Sequence, residues 1–431
     1  MIPYNILPGS NLKGSIILPG DKSIAHRAII LSSISFGRTI VKNFPANNDC
    51  KATLNVFSKL GIKFKQDKTG RIIVFGKGLR GLAKPKGPLF VEESGTTFRL
   101  LLGLLVAQQF DSEFTAGKAL SKRPMLRVIA PLRKMGALIS GEHPPIIVSG
   151  SNLKGITYNM PIASAQVKSA ILLAGLYAIG QTKIIEPIKT RDHTERMLDL
   201  FRAAIKVQGN TVVVKGGRAL TSPCSIYIPG DLSSAAFFIV AVAILKKSRI
   251  LIRKVNLNST RLGVVKVLKR MGADVEIKHQ ELKTKGAEPM GDILVKSSKL
   301  RGTKVLKNEI PSLIDELPVL MVAASCAKGK TIFEGVGELR VKETDRINSM
   351  MSNLKKMGVD IRVVKAGKSE NIIIQGVNQL KGAKLKSFGD HRTAMSAIIA
   401  GLAASSASSI DDVSCINKSF PEFLTILKSI I

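Results

Sequence analysis

Residues 18–27 read Leu-Pro-Gly-Asp-Lys-Ser-Ile-Ala-His-Arg, and the architecture of the chain can be worked out from this stretch. A glycine, an aspartate and a serine precede an apolar helical run. Similar starts occur at Gly230-Asp231-Leu232-Ser233 and at Gly389-Asp390-His391-Arg392, and an apolar run follows each. The start of a helix presents free backbone N–H groups and the positive end of the helix dipole. Each of these loops is therefore suited to attract an anion.

Three other small polar loops also precede apolar runs: Ser94-Gly95-Thr96-Thr97, Ser164-Ala165-Gln166 and Ile314-Asp315-Glu316. The starts lie roughly 65–85 residues apart along the chain. Self-similarity at a near-constant spacing indicates an internal repeat. A chance recurrence of residues that commonly begin helices is the alternative explanation.

The ends of the helices repeat as well. A leucine or methionine, a glycine and then a strand-like residue occur at Leu60-Gly61-Ile62, Met135-Gly136-Ala137, Met271-Gly272-Ala273 and Met357-Gly358-Val359. Glycine at this position predicts a left-handed residue that ends a helix. Runs such as 71–75 and 372–375 read as strands. The pattern predicts six α/β units, most simply two domains of three units each, with the boundary at Pro229-Gly230.

Composition excludes several classes of protein. At 431 residues, with 45% hydrophobic and 22% charged residues, the chain is predicted to be globular, with two or three domains. The apolar run at 235–245 is too short to span a bilayer, and the N-terminus lacks the features of a secretion signal. The four cysteines form no CxxC pair and the five histidines no HExxH motif. We expect reduced thiols, a cytoplasmic protein and no metal site.

The formal net charge of +34 has more than one explanation. A nucleic-acid binder is one, but the lysines are spread along the chain, tryptophan is absent, and aromatic residues do not alternate with basic ones. A lysine-rich genomic composition is another. A positive field that raises the encounter rate of polyanionic small substrates is a third, and it is compatible with the second.

A second informative stretch, Arg340-Val341-Lys342-Glu343-Thr344-Asp345-Arg346, places three cations among two carboxylates. If it opens a helix, Lys342 and Arg346 lie at i, i+4 on one face, with the acids beside them. Fixed cations next to a carboxylate that can exchange a proton are suited to gripping a small anion while moving a proton to it. The alternative is a solvated helix face with ion pairs.

Taken in order from residue 18 to about residue 421, these motifs resemble those of the 5-enolpyruvylshikimate-3-phosphate synthase family, in particular its second class. Single motifs are weak, but together they are specific and cover nearly the whole chain. The resemblance implies an α/β fold, a two-domain inside-out α/β barrel in which each domain has three βαβαββ repeats. It implies an N-terminal lobe at 20–229, a C-terminal lobe made of 1–19 and 230–431, and an active site in the cleft between the domains.

The resemblance also implies which residues contact the substrates. Those implied to bind shikimate 3-phosphate are Lys22, Ser23, Arg27, Ser164, Ala165, Gln166, Arg191, Asp315 and Lys342. Those implied to bind phosphoenolpyruvate are Lys22, Gly95, Arg123, Gln166, Arg346, Arg392 and Lys418. Arginine is suited to this work because its guanidinium pairs with phosphate or carboxylate through two hydrogen bonds.

Glu93 departs from the pattern of the family, and the motif at Thr190–Glu195 has more than one interpretation. Glu93 stands where the family usually has asparagine, which is expected to place a carboxylate beside a pocket for anions. In the Thr190–Glu195 motif, Arg191 is implied to bind the phosphate of shikimate 3-phosphate. For His193 and Glu195 the favoured interpretation is that they stabilise the first turn of a helix.

The reaction implied is an addition followed by an elimination. The 5-hydroxyl of shikimate 3-phosphate attacks the central carbon of phosphoenolpyruvate, the methylene carbon is protonated, and the tetrahedral intermediate expels phosphate. The catalytic residues implied are Asp315 as the proton acceptor, Glu343 as the proton donor, and Lys22. Closure of the domains on the substrates is expected, with no cofactor, no metal, no nucleic acid or membrane partner, and a monomeric state.

Two other functions are compatible with parts of the sequence. The related UDP-N-acetylglucosamine enolpyruvyl transferases have a cysteine in a mobile loop near the position of 121–125, and this chain has none there. A basic scaffold that binds nucleic acid and has lost catalysis would predict salt-sensitive DNA binding without phosphate release. As to inhibitors, the second-class motifs imply tolerance of phosphonates such as glyphosate, whereas Gly95 leaves the space that such an inhibitor needs.

Overall fold

The structure is a computed structural model that describes residues 3–9, 11–281, 285–367 and 369–431. Its α-helices are α1 Lys22–Ser33, α2 Asn48–Lys59, α3 Gly95–Leu105, α4 Lys118–Ser121, α5 Leu126–Lys134, α6 Ala165–Gly175, α7 His193–Leu200, α8 Leu232–Ile244, α9 Gly263–Arg270, α10 Leu317–Ser325, α11 Arg346–Lys356, α12 His391–Leu402 and α13 Phe423–Lys428. Short 3₁₀ helices occupy Ile310–Ser312, Gly337–Val341 and Ser414–Lys418.

The strands of the N-terminal half are β1 Tyr4–Ile6, β2 Lys13–Ile17, β3 Phe36–Lys42, β4 Lys63–Gln66, β5 Ile72–Lys77, β6 Leu89–Phe90, β7 Ser112–Thr115, β8 Leu138–Ser140, β9 Ile146–Ser149, β10 Thr157–Asn159, β11 Gln181–Ile185, β12 Ile205–Gln208, β13 Thr211–Lys215 and β14 Ser225–Tyr227. Those that follow are β15 Arg249–Asn256, β16 Asp274–Glu281, β17 Met290–Lys296, β18 Lys304–Val305, β19 Lys330–Phe333, β20 Asp360–Ala366, β21 Ser369–Gln375, β22 Lys384–Leu385 and β23 Ser408–Ile410.

The six predicted helix starts are confirmed: small polar side chains cap five of them, and the sixth, α10, begins at Leu317 without a side-chain cap bond. Asp21, Ser94, Ser164, Asp231 and Asp390 are N-cap residues, and each side chain accepts a hydrogen bond from a backbone N–H in the first turn of its helix. Such a bond satisfies one of the donors that a helix start leaves unpaired and contributes about 1 kcal/mol.

The predicted helix ends are also confirmed. Gly61, Gly136, Gly272 and Gly358 follow α2, α5, α9 and α11 with φ angles of 82, 96, 91 and 87°. In each case the next residue donates its N–H to a carbonyl inside the last turn, which is the Schellman arrangement, as in Ala273 to Leu268 at 2.9 Å. Left-handed backbone favours glycine because it has no Cβ to clash.

The repeats are visible in the sheets. Among the described residues there are six small sheets, with strand orders β14-β3-β5-β4, β6-β7-β9-β8, β10-β11-β13-β12, β2-β15-β17-β16, β18-β19-β21-β20 and β22-β23-β1. In every sheet the first strand pairs in parallel with the second, and the remaining pairs are antiparallel. In the sheets that contain β6-β7, β10-β11 and β18-β19, one helix joins the parallel pair, and a further helical segment and a hairpin follow, which is the βαβαββ unit. In the sheets that contain β14-β3 and β2-β15 the parallel partner comes from a distant part of the chain, and the sheet β22-β23-β1 has β1 in place of the hairpin. The predicted fold class is confirmed.

The chain divides into two compact units. The N-terminal lobe is Pro19–Pro229, and the C-terminal lobe is Met1–Leu18, Gly230–Glu281 and Pro289–Ile431. The described residues 285–288 belong to the N-terminal lobe, although they follow β16 of the C-terminal lobe in sequence. Strands β1 and β2 belong to the C-terminal lobe, where they pair with β23 and β15.

The apolar runs form the interior of each lobe. In α8 every residue from Leu232 to Ala243 is buried, because the helix is apolar on all sides and packs against α10 and α12. In the N-terminal lobe α1, α3 and α6 are buried in the same way. Helices such as α9 and α11 instead bury one side only. Within the described chain, no helix has both the length and the apolar character needed to cross a membrane.

Candidate active site

In the N-terminal lobe the predicted residues lie at the starts of the buried helices. Lys22 is the first residue of α1, and its Nζ lies 3.1 Å from Oδ2 of Asp49 at the start of α2. Ser164 caps α6, of which Ala165 and Gln166 are the first residues. The structure therefore gives each of these residues a position beside free backbone donors, where an anion is favoured.

Arg27 is buried and is held by the protein itself. Its Nε donates to the hydroxyl of Thr194 at 2.6 Å, one Nη to the hydroxyl of Ser169 at 2.6 Å and the other to the carbonyl of Ser23 at 2.9 Å. Burial lowers the pKa of Arg27 to about 10, and the nearby Glu195 opposes that effect. The side chain remains charged at neutral pH, and it links α1 to α6 and α7.

Gly95 and Arg123 are brought together. A Cβ added to Gly95 would lie 3.5 Å from Nη1 of Arg123 and 2.6 Å from Nη1 of Arg99. Arg99, which sequence reasoning missed, donates to Oε1 of Gln166 at 2.8 Å, and Gln166 donates in turn to Thr96 at 3.0 Å. Its position one helical turn after Gly95 was the available signal, because residues at i, i+4 share a helix face.

Behind Arg191 lies a fully buried ion cluster. Nζ of Lys168 lies 2.9 Å from Glu186 and 2.5 Å from Glu195, and the hydroxyl of Thr190 also bonds to Glu186. Burial raises the pKa of Glu195, an effect that Lys168 opposes. The cluster fixes the backbone just before Arg191, and sequence reasoning did not predict it.

His193 and Glu195 lie in the first turn of α7, as the sequence interpretation has it, but both also make contacts beyond that turn. Glu195 pairs with Lys168 as described above, and Nδ1 of His193 lies 2.7 Å from Oε1 of Glu288. Glu288 belongs to the segment 285–288, which also accepts a hydrogen bond from Arg196 at the carbonyl of Ala287. These are contacts between residues distant in sequence, which local helix rules do not anticipate.

The carboxylate of Glu93 does not approach the expected anion pocket as a free charge. Its Oε1 accepts from the N–H of Ala119 at 3.1 Å and its Oε2 from the N–H of Leu120 at 2.8 Å. Both donors belong to α4, the short helix that precedes Arg123. The negative charge is therefore partly compensated by two backbone donors.

In the C-terminal lobe a single guanidinium joins three carboxylates. Arg346 is 1% exposed and lies 2.9 Å from Asp390 through Nε, 3.3 Å from Asp315 through Nη1 and 2.5 Å from Glu343 through Nη2. Burial tends to raise the pKa of Asp390, but the Arg346 guanidinium holds it below its usual range. The predicted proton acceptor and proton donor thus contact the same predicted anion-binding group.

The other predicted cations of this lobe lie around the same carboxylates. Arg392 donates to the carbonyl of Asp315 at 2.9 Å, and Lys418 donates to the carbonyl of Gly389 at 3.4 Å. Burial lowers the pKa of Lys342, and Asp315 opposes this effect.

The predicted helical spacing of Lys342 and Arg346 is wrong. The helix α11 begins only at Arg346, and Lys342 has an extended backbone after the 3₁₀ helix Gly337–Val341. The reason is Asp345, whose carboxylate caps α11 by accepting from the N–H groups of Ile347 and Asn348. A capping residue leaves the residues before it outside the helix.

A second buried cluster holds Glu316, the residue after Asp315, at the start of α10. Arg261 donates to Asp231 at 3.1 Å and to the hydroxyl of Ser233 at 2.6 Å, and that hydroxyl donates to Glu316. The cluster ties the start of α8 to the start of α10. Of the two acids at this helix start, Glu316 is the buried framework residue and Asp315 is the one that contacts Arg346.

Each lobe therefore presents fixed cations at helix starts, and the C-terminal lobe adds carboxylates able to exchange a proton. This is the chemistry needed to hold multiply charged anions and to move a proton between them.

Comparisons with known proteins agree with this chemistry. A family model described as EPSP synthase (3-phosphoshikimate 1-carboxyvinyltransferase) matches residues 6–427. A 3-phosphoshikimate 1-carboxyvinyltransferase of Petrotoga mobilis is 47% identical over 99% of this chain and 98% of its own length. One from Geotalea uraniireducens is 46% identical over the full length of both chains.

Solved structures give the same result. An EPSP synthase structure from Acinetobacter baumannii has a TM-score of 0.88 and 42% sequence identity over 99% of this chain and 98% of its own. The enolpyruvyl transferase NikO from Streptomyces tendae, at 16% identity over 99% of this chain and 97% of its own, has a TM-score of 0.77, a likeness of fold alone.

Proposed function

Because the chain belongs to the EPSP synthase (3-phosphoshikimate 1-carboxyvinyltransferase) family, we propose that its two side-chain clusters bind the two substrates of that enzyme and carry out the proton transfers. The protein transfers the enolpyruvyl group of phosphoenolpyruvate to the 5-hydroxyl of shikimate 3-phosphate and releases phosphate. This is a step of the shikimate pathway, which leads to chorismate and the aromatic amino acids. The family match also decides against the UDP-N-acetylglucosamine enolpyruvyl transferase.

The proposed binding roles rest on the positive charges of the side chains and the negative charges of the substrates. Lys22, Ser23, Arg27, Ser164, Ala165, Gln166, Arg191, Asp315 and Lys342 bind shikimate 3-phosphate. Lys22, Gly95, Arg123, Gln166, Arg346, Arg392 and Lys418 bind phosphoenolpyruvate. Both substrates are polyanions, so that a pocket for the pair needs several cations to offset their mutual repulsion. Residues of both lobes are proposed to act on the same pair of substrates, and compaction in small-angle scattering on addition of shikimate 3-phosphate is the expected sign.

Two proton transfers complete the chemistry. Asp315 accepts the proton of the 5-hydroxyl as its oxygen bonds to the central carbon of phosphoenolpyruvate, and Glu343 gives a proton to the methylene carbon. In the elimination the methyl carbon returns a proton to the Glu343 carboxylate and the enol ether forms, while the carbon–oxygen bond to phosphate breaks, and the phosphate leaves with the bonding electrons and the proton that Asp315 holds. An acid and a base positioned in this way typically contribute about 10²–10⁴-fold each to the rate.

The contacts of Arg346 are the observation that carries the proposal. This guanidinium lies within hydrogen-bonding distance of Glu343 and Asp390, and 3.3 Å from Asp315. A substrate carboxylate that binds Arg346 competes with Glu343 for it. When the substrate carboxylate takes the place of Glu343 at Arg346, Glu343 loses its contact with a cation and gains a neighbouring anion. Both changes favour the protonated form of Glu343, which can donate a proton.

The test compares turnover with binding. Glu343→Gln and Asp315→Asn keep the size of each side chain and remove its proton chemistry, so we expect turnover to fall about 10²–10⁴-fold. Phosphate release from phosphoenolpyruvate, with and without shikimate 3-phosphate, measures turnover, and calorimetry measures binding of shikimate 3-phosphate.

Glu276→Gln is the matched control, because Glu276 is an exposed carboxylate of the same lobe that pairs with Lys278 on β16. It should leave turnover unchanged. Near-normal turnover in Glu343→Gln or Asp315→Asn would remove that residue from the chemistry. Phosphate release that does not need shikimate 3-phosphate would contradict the transfer reaction itself.

We further propose that the protein acts as a monomer in the cytoplasm. The four cysteines, all within the described residues, are free, and this favours a reducing compartment. The monomeric state rests on the family resemblance. Light scattering should give the mass of one chain, and a doubled mass would refute this part of the proposal.

A further inference from the structure

We propose that Glu93 is a positioning residue that holds Arg123 in place for phosphoenolpyruvate, an inference that rests on the proposed role of Arg123. Glu93 is half-buried and lies directly before Ser94, the N-cap of α3, and Gly95. Its carboxylate leaves its own loop and reaches the start of α4. It therefore connects two loops that each carry a predicted contact to the same substrate.

The geometry of the bond is specific to a carboxylate. Two backbone N–H groups, of Ala119 and Leu120, each point to a different oxygen of Glu93, at 3.1 and 2.8 Å. A carboxylate offers two acceptors and no donor, so it matches both groups. A side-chain amide offers one acceptor, and its NH₂ group would face one of these N–H donors.

A second contact, at Gly117, limits the space around the carboxylate of Glu93. Gly117 donates its N–H to the carbonyl of Glu92 at 2.6 Å, and a Cβ added to Gly117 would lie 2.4 Å from Oε1 of Glu93. The carboxylate therefore occupies the space that a side chain at this position would need. A Cβ at position 117 would push this carboxylate aside, and the backbone itself sets no limit, because the φ of −68° is open to any residue.

The chain leads directly from α4 to Arg123. Leu120 is buried in the core, and its carbonyl accepts the N–H of Arg123 at 2.9 Å. Ser121 adds a bond from its hydroxyl to the carbonyl of Ala116 at 3.1 Å. Fixing the start of this short helix fixes the backbone of Arg123, whose guanidinium lies beside Gly95.

If Glu93 acts only through its charge, the KM for phosphoenolpyruvate is expected to change in the opposite direction. If Glu93 acted as an unscreened negative charge near the phosphoenolpyruvate pocket, its neutralisation in Glu93→Gln would reduce repulsion and lower the KM for phosphoenolpyruvate. If it positions Arg123, the same substitution loosens the arginine and raises that KM. The sign of the change therefore distinguishes the two.

The experiment measures steady-state kinetics of Glu93→Gln, Arg123→Gln and the double variant in the full-length protein. We expect Glu93→Gln to raise the KM for phosphoenolpyruvate about tenfold, with kcat and the affinity for shikimate 3-phosphate within about threefold of the parent. In the double variant the Glu93 effect should disappear, because a residue that acts through Arg123 has nothing to position once that side chain is removed. Glu92→Gln, which removes the same charge from the neighbouring residue, should leave the KM unchanged.

The results for the three variants test the role of Glu93 separately from the role of Arg123. An unchanged or lowered KM in Glu93→Gln, with a raised KM in Arg123→Gln, overturns the positioning role and leaves the proposed function intact. An unchanged KM in Arg123→Gln contradicts the proposed role of Arg123 itself. A Glu93 effect that persists in the double variant shows that Glu93 acts by another route. If Glu93→Gln does not fold, Gly117→Ala displaces the same carboxylate and should raise the same KM, and an unchanged KM there overturns the proposal.

Discussion

At the scale of single residues, His26 shows how burial controls a titrating group in the interior of the N-terminal lobe. It is fully buried in α1, and its Nδ1 lies 2.7 Å from the hydroxyl of Thr53, which contacts Thr97 at 2.7 Å. Thr97 in turn contacts the hydroxyl of Ser94, the N-cap of α3. This chain of hydrogen bonds joins α1 to the start of α3 through α2.

The pKa of His26 gives a prediction about stability. Burial, with Lys22 and Arg27, lowers this pKa well below 6.5. At pH values between this lowered pKa and about 6.5, His26 binds a proton in the unfolded chain but not in the folded protein. The free energy of unfolding therefore decreases as the pH falls through this range. We expect a loss on the order of 1 kcal/mol at a pH one unit below 6.5.

The measurement is urea unfolding at pH 7.5 and pH 5.5 for the parent and for His26→Gln, which does not titrate. Other titrating groups are common to both proteins and cancel in the difference. We expect the stability of the parent relative to His26→Gln to be lower at the acidic pH. A difference that stays constant with pH would show that the pKa of His26 is not lowered by folding.

Residues also show the limits of sequence reasoning. The helix starts at Lys22, Gly95 and Ala165 could be predicted because capping depends on a few neighbours. The partners of Glu93 and of His193 could not, because they lie 26 or more positions away and are brought near only by the fold. No local pattern encodes such contacts.

At the scale of secondary-structure elements, the repeat has one informative exception. The third repeat of the N-terminal lobe ends α7 with Arg202 at a φ of 61°, where the helices α2, α5, α9 and α11 are followed by glycine. The hydrogen bond is nevertheless the same, since Ala203 donates to the carbonyl of Leu198 at 2.8 Å. A left-handed residue with a Cβ costs roughly 1–2 kcal/mol.

We therefore expect Arg202→Gly to stabilise the protein by about 0.5–1 kcal/mol. The relief of left-handed strain exceeds the extra entropy that glycine gives to the unfolded chain. Chemical denaturation of the two proteins measures the change. Arg202→Ala is the matched control, since it removes the side chain and keeps the Cβ, and it should give no gain. Equal stability changes in both variants would rule out backbone strain at this position.

The elements themselves were largely predictable, and the reason is physical. Caps and left-handed glycines act over one turn, so the starts of α1, α3, α6, α8 and α12 follow from the sequence. The exception is α11, which begins three residues later than Glu343, because Asp345 competes successfully for the role of cap.

At the scale of the whole molecule, the net charge of +34 can be tested against the reaction. If the positive field steers phosphoenolpyruvate and shikimate 3-phosphate, kcat/KM for both should fall several-fold between about 0.05 and 0.5 M salt, because the Debye length shrinks from above 10 Å to a few ångströms. The bound complex is already formed when kcat is measured, so kcat should change little.

Steady-state kinetics in potassium chloride measure this effect, and the melting temperature at each salt concentration serves as the control for unfolding. A kcat/KM that does not depend on salt would favour a lysine-rich genomic composition with no role in catalysis. Salt-sensitive binding of DNA, measured on the same protein, would instead support a nucleic-acid partner.

The pairing of β1 and β2 within the C-terminal lobe determines how the chain can assemble during synthesis. The ribosome releases β2 early, but its partner β15 ends at Asn256, and the partner of β1 ends at Ile410. At a synthesis rate of about 5–20 residues per second, roughly 20–80 s pass between the synthesis of β1 and that of its partner β23. Pro19–Pro229 has by then been synthesised as one uninterrupted stretch. The N-terminal strands must therefore remain unpaired without aggregating, and the short, polar Lys13-Gly14-Ser15 of β2 suits that delay.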